Sequence, residues 1–326
     1  MKTRRLGRTD LELTTVGLGT WAMGGPWEVG WGPQDDGQAI RAIVTAIEEC
    51  GINWIDTAPI YGCGHSEDLV GVALRHIRSR PIISTKCGML WNERKERVYC
   101  LEPRSIRNEC HDSLRRLGLD VIDLYQIHRP IPDQQIEWAW EELARLKEKG
   151  LVRHIGVSNF NIEQMERLAR IHPVESLQPQ YSMLHRQIEQ DVMAYCSRNG
   201  IGLIVYSPMA RGLLIGKFTK DNLSQLAPDD HRLKIDDFKE PQFSATLEMV
   251  ERLRPLARQA GLTLAQLAIA WVLRRPEVTS AIVGARAPEQ IRQTAPAGDV
   301  ELQAEILDQI EQIIQQRQSA LGAKGN

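Results

Sequence analysis

The chain has 326 residues, and its 40 basic and 42 acidic side chains leave a formal net charge of −2. No basic surplus signals nucleic acid or an anionic membrane, and no acidic surplus signals a solvated tail. Hydrophobic residues at 42% with 25% charged suffice for a large core, while 25 Gly and 16 Pro are too few for a collagenous or low-complexity chain.

Along the chain, short β-rich runs alternate with longer amphipathic ones. Met1 to Arg8 lacks the apolar core of a signal peptide, and Arg4 to Leu13 reads as a short hairpin turning around Gly7 to Asp10. A first strand is expected at Val16–Trp21, followed by a helix through Ala39, Ile43 and Ile47 that Gly51 stops. Asn53–Ala58 is the second strand. Ser66 is expected to cap the helix that carries Leu69, Val70, Ala73 and Ile77. Strand Pro81–Lys86 precedes a helix opened by Pro103 and closed by Gly118. Strand Val121–His128 precedes the helix Ile136–Lys149, whose basic end suits the helix dipole. Strand His154–Ser158 leads to a helix capped by Asn161, Ser176–Gln180 to the helix Ile188–Arg198, and Gly202–Ser207 to a long, polar, strand-free segment from Arg211 to Gln242. Segments of that kind are functional or mobile. Helices Thr246–Ala260 and Thr263–Arg274, strand Thr279–Val283 and a tail helix from Glu301 to Gln316 complete the chain.

Eight strand–helix units, several with near-continuous apolar strands such as Gly202-Leu-Ile-Val-Tyr, predict a parallel sheet covered by helices. The fold expected is α/β, a (β/α)8 TIM barrel with an N-terminal β-hairpin and an extra C-terminal helix, as one domain over residues 1–326. An open doubly wound sheet is the alternative. Gly17-Leu-Gly-Thr-Trp-Ala22 fits its G-x-G-x-x-A fingerprint, but that motif must open a helix, and the Gly- and Pro-rich stretch 24–33 forbids one. Six cysteines without a C-x-x-C pair read as free thiols of a reducing, cytoplasmic compartment. The uncharged run Gly261–Leu273 falls short of the roughly 20 residues that span a bilayer. The histidines show no metal-binding spacing. Whether the chain assembles with copies of itself is left open.

In such a barrel, chemistry sits where strands end at their C-terminal side. The second strand ends in Asp56 and runs on to Tyr61, the third ends at Lys86, and the fourth at His128. Strand alternation turns Cys87 toward the helices if Lys86 faces inward. Taken singly, a Lys86 or an Asp56 reads more often as a structural ion pair and Tyr61 more often as a packing residue, while His128 is evenly balanced. The signal is four such groups at three successive strand ends. An ammonium beside a phenol favours phenolate, so Lys86 is expected to lower the pKa of Tyr61, and His128 to orient a carbonyl or relay a proton.

Together with Gly17-Leu-Gly-Thr-Trp21, Ile55-Asp-Thr-Ala-Pro-Ile-Tyr-Gly62, Gly64-His-Ser-Glu67, Arg115-Arg-Leu-Gly-Leu-Asp120, Asp123-Leu-Tyr-Gln-Ile-His128, Gly156-Val-Ser-Asn-Phe160, Tyr206-Ser-Pro208 and Arg211-Gly-Leu-Leu-Ile-Gly-Lys217, these residues resemble the aldo-keto reductase superfamily over nearly the whole chain, most of all bacterial members of the general-stress-protein type. The resemblance implies a nicotinamide-dependent carbonyl reductase with Tyr61 as general acid, Lys86 tuning it, Asp56 holding Lys86 and His128 orienting the substrate. It implies cofactor contacts at Gly19, Thr20, Trp21 and Asp56, carboxamide ligands at Ser158, Asn159 and Gln178, and a ring stacked on Tyr206. Ser207, Met209, Arg211 and Lys217 would grip the pyrophosphate, and Gly284, Arg286 and Gln290 would embrace an adenosine 2′-phosphate, with Arg286 its ligand. NADPH is the cofactor expected, ahead of NADH. Gln290 stands where many members carry a basic residue, and Gln293-Thr294 replaces a common Glu-Asn pair.

The substrate, a small carbonyl compound, is expected against Trp21, Tyr61, Trp91 and His128. Trp27 and Trp31 either join that wall or pack their loop, whereas Trp54, Trp138, Trp140 and Trp271 read as core. Arg129 departs from the apolar residue common after the histidine and is expected in a surface ion pair, with an anionic or polar substrate as the other reading. Cys63 is read as a bystander, and Glu67 and Asp68 as charges at a helix start. Two other functions fit the same residues less well: a cofactor-binding regulatory subunit with little turnover, as in channel-associated relatives, and a hydrolase with paired carboxylates, for which Asp56 lacks an acidic partner.

Overall fold

The computed structural model describes residues 1–227 and 230–322. Twelve strands are present among them: β1 (Thr3–Arg5), β2 (Glu12–Thr14), β3 (Val16–Gly19), β4 (Trp54–Asp56), β5 (Ile82–Cys87), β6 (Met89–Trp91), β7 (Arg97–Tyr99), β8 (Ile122–Ile127), β9 (Val152–Ser158), β10 (Ser176–Gln178), β11 (Gly202–Tyr206) and β12 (Val278–Gly284). Eight of them close into a parallel barrel in the order β3-β4-β5-β8-β9-β10-β11-β12, and these are the eight strands expected, with ends shifted by one or two residues. This is the (β/α)8 TIM barrel.

The helices between the strands begin and end where local chemistry dictates. Asp35 accepts the Gln38 N–H at the start of Asp36–Glu48. Asn161 and Gln164 form a capping box, as do Thr263 and Gln266. Pro103 opens the helix that ends at left-handed Gly118. The tail helix runs from Ala304 to Gly322 and buries Ile306, Ile310, Ile313 and Ile314.

Several expectations need correction. The cap of helix His65–Leu74 is left-handed Gly64. Ser66 is buried instead, and its hydroxyl donates to Thr20 Oγ1 at 2.7 Å, tying the helix start to the end of β3. The segment Ile188–Arg198 is a 3-10 turn followed by the helix Val192–Asn199. Trp138 is not core: Ile136, Ala139, Trp140, Leu143 and Leu146 form the inward stripe of its helix, and position 138 falls on the outer face, 53% exposed. The loop after β5 contains the hairpin β6–β7, whose turn is held by Asn92 Oδ1 accepting from the N–H groups of Arg94 and Glu96. The helix Pro288–Thr294 was also not foreseen.

The β1–β2 hairpin closes one end of the barrel. Leu6, Leu11 and Leu13 pack there against Trp54, Leu124, Ile204 and Ile282, each buried leucine contributing about 2 kcal/mol. Trp54 Nε1 donates to Thr14 O and Ser280 Oγ, both at 3.1 Å. A Cβ at Gly17 would lie 2.0 Å from this indole, so only glycine fits beside it. The chemistry therefore gathers at the opposite end. Among the described residues no single helix is long and apolar enough to cross a membrane, no group of His, Cys, Asp and Glu could hold a metal ion, and all six cysteines are free.

Candidate active site

Inward-facing side chains recur every second residue along a barrel strand. That period sets Asp56 above Trp54, Lys86 above Ser84, His128 above Gln126 and Gln178 above Ser176. Ser84 Oγ accepts from Gln126 Nε2 at 3.0 Å and donates to Asp56 Oδ1 at 3.2 Å, so a polar ladder leads up the axis to the carboxylate. Tyr61 arrives by a loop. Gly62, at φ +65°, lies so close to the loop after β3 that a Cβ there would be 2.0 Å from Gly24 O.

These elements bring the four groups together. Lys86 is fully buried; its Nζ donates to Asp56 Oδ2 at 2.7 Å, Thr57 O at 2.9 Å and Tyr61 OH at 3.4 Å, which uses all three ammonium N–H groups. Asp56 also accepts from Gln178 Nε2 at 2.8 Å. The rings of Tyr61 and His128 meet edge to face, with centroids 5.8 Å apart.

The expected lowering of the Tyr61 pKa is absent. Burial first, then the charge of Asp56 and the neighbouring Tyr206, push the phenol well above its ordinary value, with Arg129 acting in the opposite direction. Burial of the phenol outweighs the Lys86 ammonium, whose charge Asp56 opposes at contact distance. The Lys86 ammonium is itself lowered, by burial, with Asp56 opposing. His128 is driven well below 6.5 by burial and then by Lys86, Arg129 and Arg97. At neutral pH the site thus presents a protonated phenol and a neutral imidazole.

Above the four groups opens a cavity of about 780 Å³, within the range of small-molecule sites. Gly19, Trp21, Asp56, Tyr61, His128, Ser158, Asn159, Gln178, Tyr206, Ser207, Met209, Arg211, Lys217, Gly284, Arg286 and Gln290 all line it. Three expected residues do not. Lys86 lies beneath Tyr61. Thr20 is buried with its N–H and hydroxyl on Asp56 O. Trp91, on β6, packs behind Tyr61 and Met89 and under the Arg116 guanidinium.

Two further readings are revised. Glu67 is not merely a helix-start charge: fully buried, it accepts from Thr85 Oγ1 at 2.6 Å and Arg116 Nε at 2.7 Å. Arg129 faces the cavity, and among the described residues it has no ion-pair partner. Trp27 and Trp31 both line the cavity, Trp31 edge-on to Trp21 at 4.9 Å. Arg97, His231 and Arg232 line it unforeseen. Arg97 comes from the unforeseen hairpin, where Asn92 was the only turn signal. The other two come from the long segment after β11, and Arg232 stacks on the Trp31 and Phe218 rings at 4.7 and 5.5 Å.

The lining suits an elongated anionic ligand with an amide-bearing ring. Tyr206 offers a ring face, fixed by its hydroxyl donating to Asn159 Oδ1 at 2.7 Å. Arg211, Lys217, Arg232 and Arg286 supply cations along the half of the cavity that follows β11 and β12. Arg286 donates from Nε to Gln34 Oε1 and from its other two nitrogens to Trp31 O and Pro33 O, leaving two of its five N–H groups. Gln290 Oε1 accepts the Arg286 backbone N–H at 2.7 Å.

The Aldo/keto reductase family profile matches residues 15–315. Aldo-keto reductase YhdN of Bacillus subtilis is 37% identical over 294 residues, covering 89% of this chain and 87% of that protein. The NADH-specific methylglyoxal reductase of Escherichia coli is 36% identical over 316 residues, covering 93% of this chain and 95% of the relative. Among solved structures, the glycerol dehydrogenase AKR11B4 from Gluconobacter oxydans superposes with a TM-score of 0.88 at 36% identity, covering 97% of this chain and 96% of that one.

Proposed function

The chain belongs to the aldo/keto reductase family and is a nicotinamide-dependent oxidoreductase; from that premise we propose that it reduces small aldehydes and ketones to alcohols in the cytoplasm, with NADPH as the preferred cofactor and Tyr61 as the general acid. The observation that carries this reading is the contact of Lys86 Nζ with both Asp56 Oδ2 and Tyr61 OH, beneath a cavity that Tyr61 and His128 face together.

The residues divide the work as follows. Tyr206 supports the nicotinamide ring, and Ser158, Asn159 and Gln178 hold its carboxamide. Gln178 keeps its Oε1 for this purpose, since its Nε2 is bound to Asp56. Ser207, Met209, Arg211 and Lys217 hold the pyrophosphate. When bound, the reduced nicotinamide supplies the hydride to the carbonyl carbon. His128, as a neutral imidazole, donates a hydrogen bond to the carbonyl oxygen and sets its orientation. Tyr61 delivers its proton to the same oxygen as alkoxide charge develops. Lys86, locked by Asp56 and Thr57 O, then faces the resulting phenolate and stabilises it.

Reduction is read directly from loss of nicotinamide absorbance on adding a panel of aldehydes and ketones. Turnover is expected. Flat absorbance together with tight cofactor binding would instead make the chain a regulatory subunit.

The NADPH preference rests on Arg286. The two N–H groups that its loop contacts leave over can meet a 2′-phosphate, and those contacts hold its guanidinium in place. Arg286→Ala is expected to raise the Kd for NADPH by about tenfold or more, the value of one charged hydrogen bond or two, and to change that for NADH much less. Equal losses would remove the assignment. They would identify Arg286 as a clamp on the loop 31–34.

A further inference from the structure

Buried hydrogen-bond donors without a partner are scarce in folded proteins, and each calls for an explanation. Among the described residues, six buried side-chain atoms have none: Trp27 Nε1, Trp31 Nε1, Arg97 Nε, Tyr125 OH, Gln180 Nε2 and His231 Nδ1. Four of these belong to residues that line the cavity, Trp27, Trp31, Arg97 and His231. Trp27 lies against Tyr61, with ring centroids 6.2 Å apart. The unpaired guanidinium of Arg129 follows directly on His128. Of the neighbouring acids, Glu28 is paired with Arg97 at 2.8 Å and Asp56 with Lys86 at 2.7 Å, so neither is left to pair with Arg129.

A cation that lines the cavity directly after His128, with no ion-pair partner among the described residues, describes an anion site. We propose that the carbonyl substrate carries a carboxylate and that Arg129 is its principal ligand. The inference rests on the reductase reading above and names its substrate class.

The cofactor phosphates are the competing use for Arg129, and the barrel order argues against them. Arg129 follows β8, which lies opposite β12 in the closed ring and three strands from β11. The residues assigned to phosphates follow β11 and β12. Arg129 follows directly on His128 and lines the same cavity; its charge acts on Tyr61 and His128, and also on Arg211. In the complex the carboxylate would exchange hydration for a charge-assisted contact with a guanidinium that no protein carboxylate occupies.

The test compares 4-carboxybenzaldehyde with its methyl ester, methyl 4-formylbenzoate, on the intact protein. The ester has the more electrophilic aldehyde, so a preference for the acid cannot come from intrinsic reactivity. The wild-type protein should favour the acid in kcat/KM by about tenfold. Arg129→Gln should reduce that acid-to-ester ratio by about 10- to 100-fold, mainly through KM, and Arg129→Lys should restore part of it. Terephthalate should compete with 4-carboxybenzaldehyde on the wild-type protein, a readout that needs no variant. Equal use of both aldehydes by the wild type, a ratio that Arg129→Gln leaves unmoved, or a loss of cofactor affinity that accounts for the lost turnover would each overturn the carboxylate site while leaving the reductase reading standing. Failure to reduce either aldehyde, or any other carbonyl, would overturn both.

Discussion

Tyr61→Phe is expected to lower kcat for carbonyl reduction by about 10²–10⁴-fold, the contribution of a positioned general acid, while the Kd of the nicotinamide cofactor changes little. The substitution removes one oxygen. The ring that packs with Ala58, Ile60 and Met89 remains, and the Lys86 ammonium keeps its two shorter contacts. Stopped-flow reduction and fluorescence titration of the cofactor separate the two quantities. Equal loss of both would mean that Tyr61 is structural. The wild-type pH profile belongs to the same prediction. The phenol is raised from 10 and the imidazole lowered from 6.5, so the donor is protonated and the imidazole neutral throughout the interval between those values. Reduction should therefore be flat there. Rates should fall above it as the proton is lost from Tyr61, and below it as His128 acquires charge.

Lys86→Met is expected to cost both activity and stability. Removing one partner of a buried ion pair leaves the other charge without compensation, at about 3–5 kcal/mol. Here Asp56 would retain only the Gln178 and Ser84 hydrogen bonds, which places the loss toward the lower end. Lys86→Met/Asp56→Asn removes both charges and should recover much of the lost stability, measured by chemical denaturation, without recovering turnover. That non-additivity separates the two roles of the lysine: neutrality of the barrel centre can be restored with uncharged groups, but a cation facing the phenolate cannot. Recovery of turnover in the double variant would exclude any part for the ammonium in proton transfer.

The barrel and its four central groups were legible in the sequence because both follow from period and position. Apolar β-branched runs marked the strands, and Asp56, Lys86 and His128 stood at strand ends where inward orientation follows from alternation. What escaped the sequence depends on contacts between distant segments. Trp91 and Thr20 lie near the right place, but their side chains are turned behind the cavity, on Arg116 and Asp56. Glu67 reads as a helix-start charge until β5 and Arg116 are packed around it. The direction of the Tyr61 pKa depends on the same kind of packing: the lysine beside the phenol is evident in the sequence, but the burial of the ring and the 2.7 Å contact through which Asp56 opposes the lysine are not. Arg129 had an expected partner that no local pattern could test. The hairpin β6–β7, which carries Arg97 into the cavity, lacks the Gly or Pro signals that make most tight turns visible.

The hairpin plug beneath Trp54 has a kinetic consequence. With the floor shut by Leu6, Leu11 and Leu13, the barrel is closed at that end among the described residues, and whatever reaches Tyr61 comes and goes on the opposite side. Two guests in such a room cannot exchange independently. Where one lies over the other, the deeper must arrive first and depart last, so the floor of the barrel, remote from any reacting atom, would impose a queue on the traffic above it.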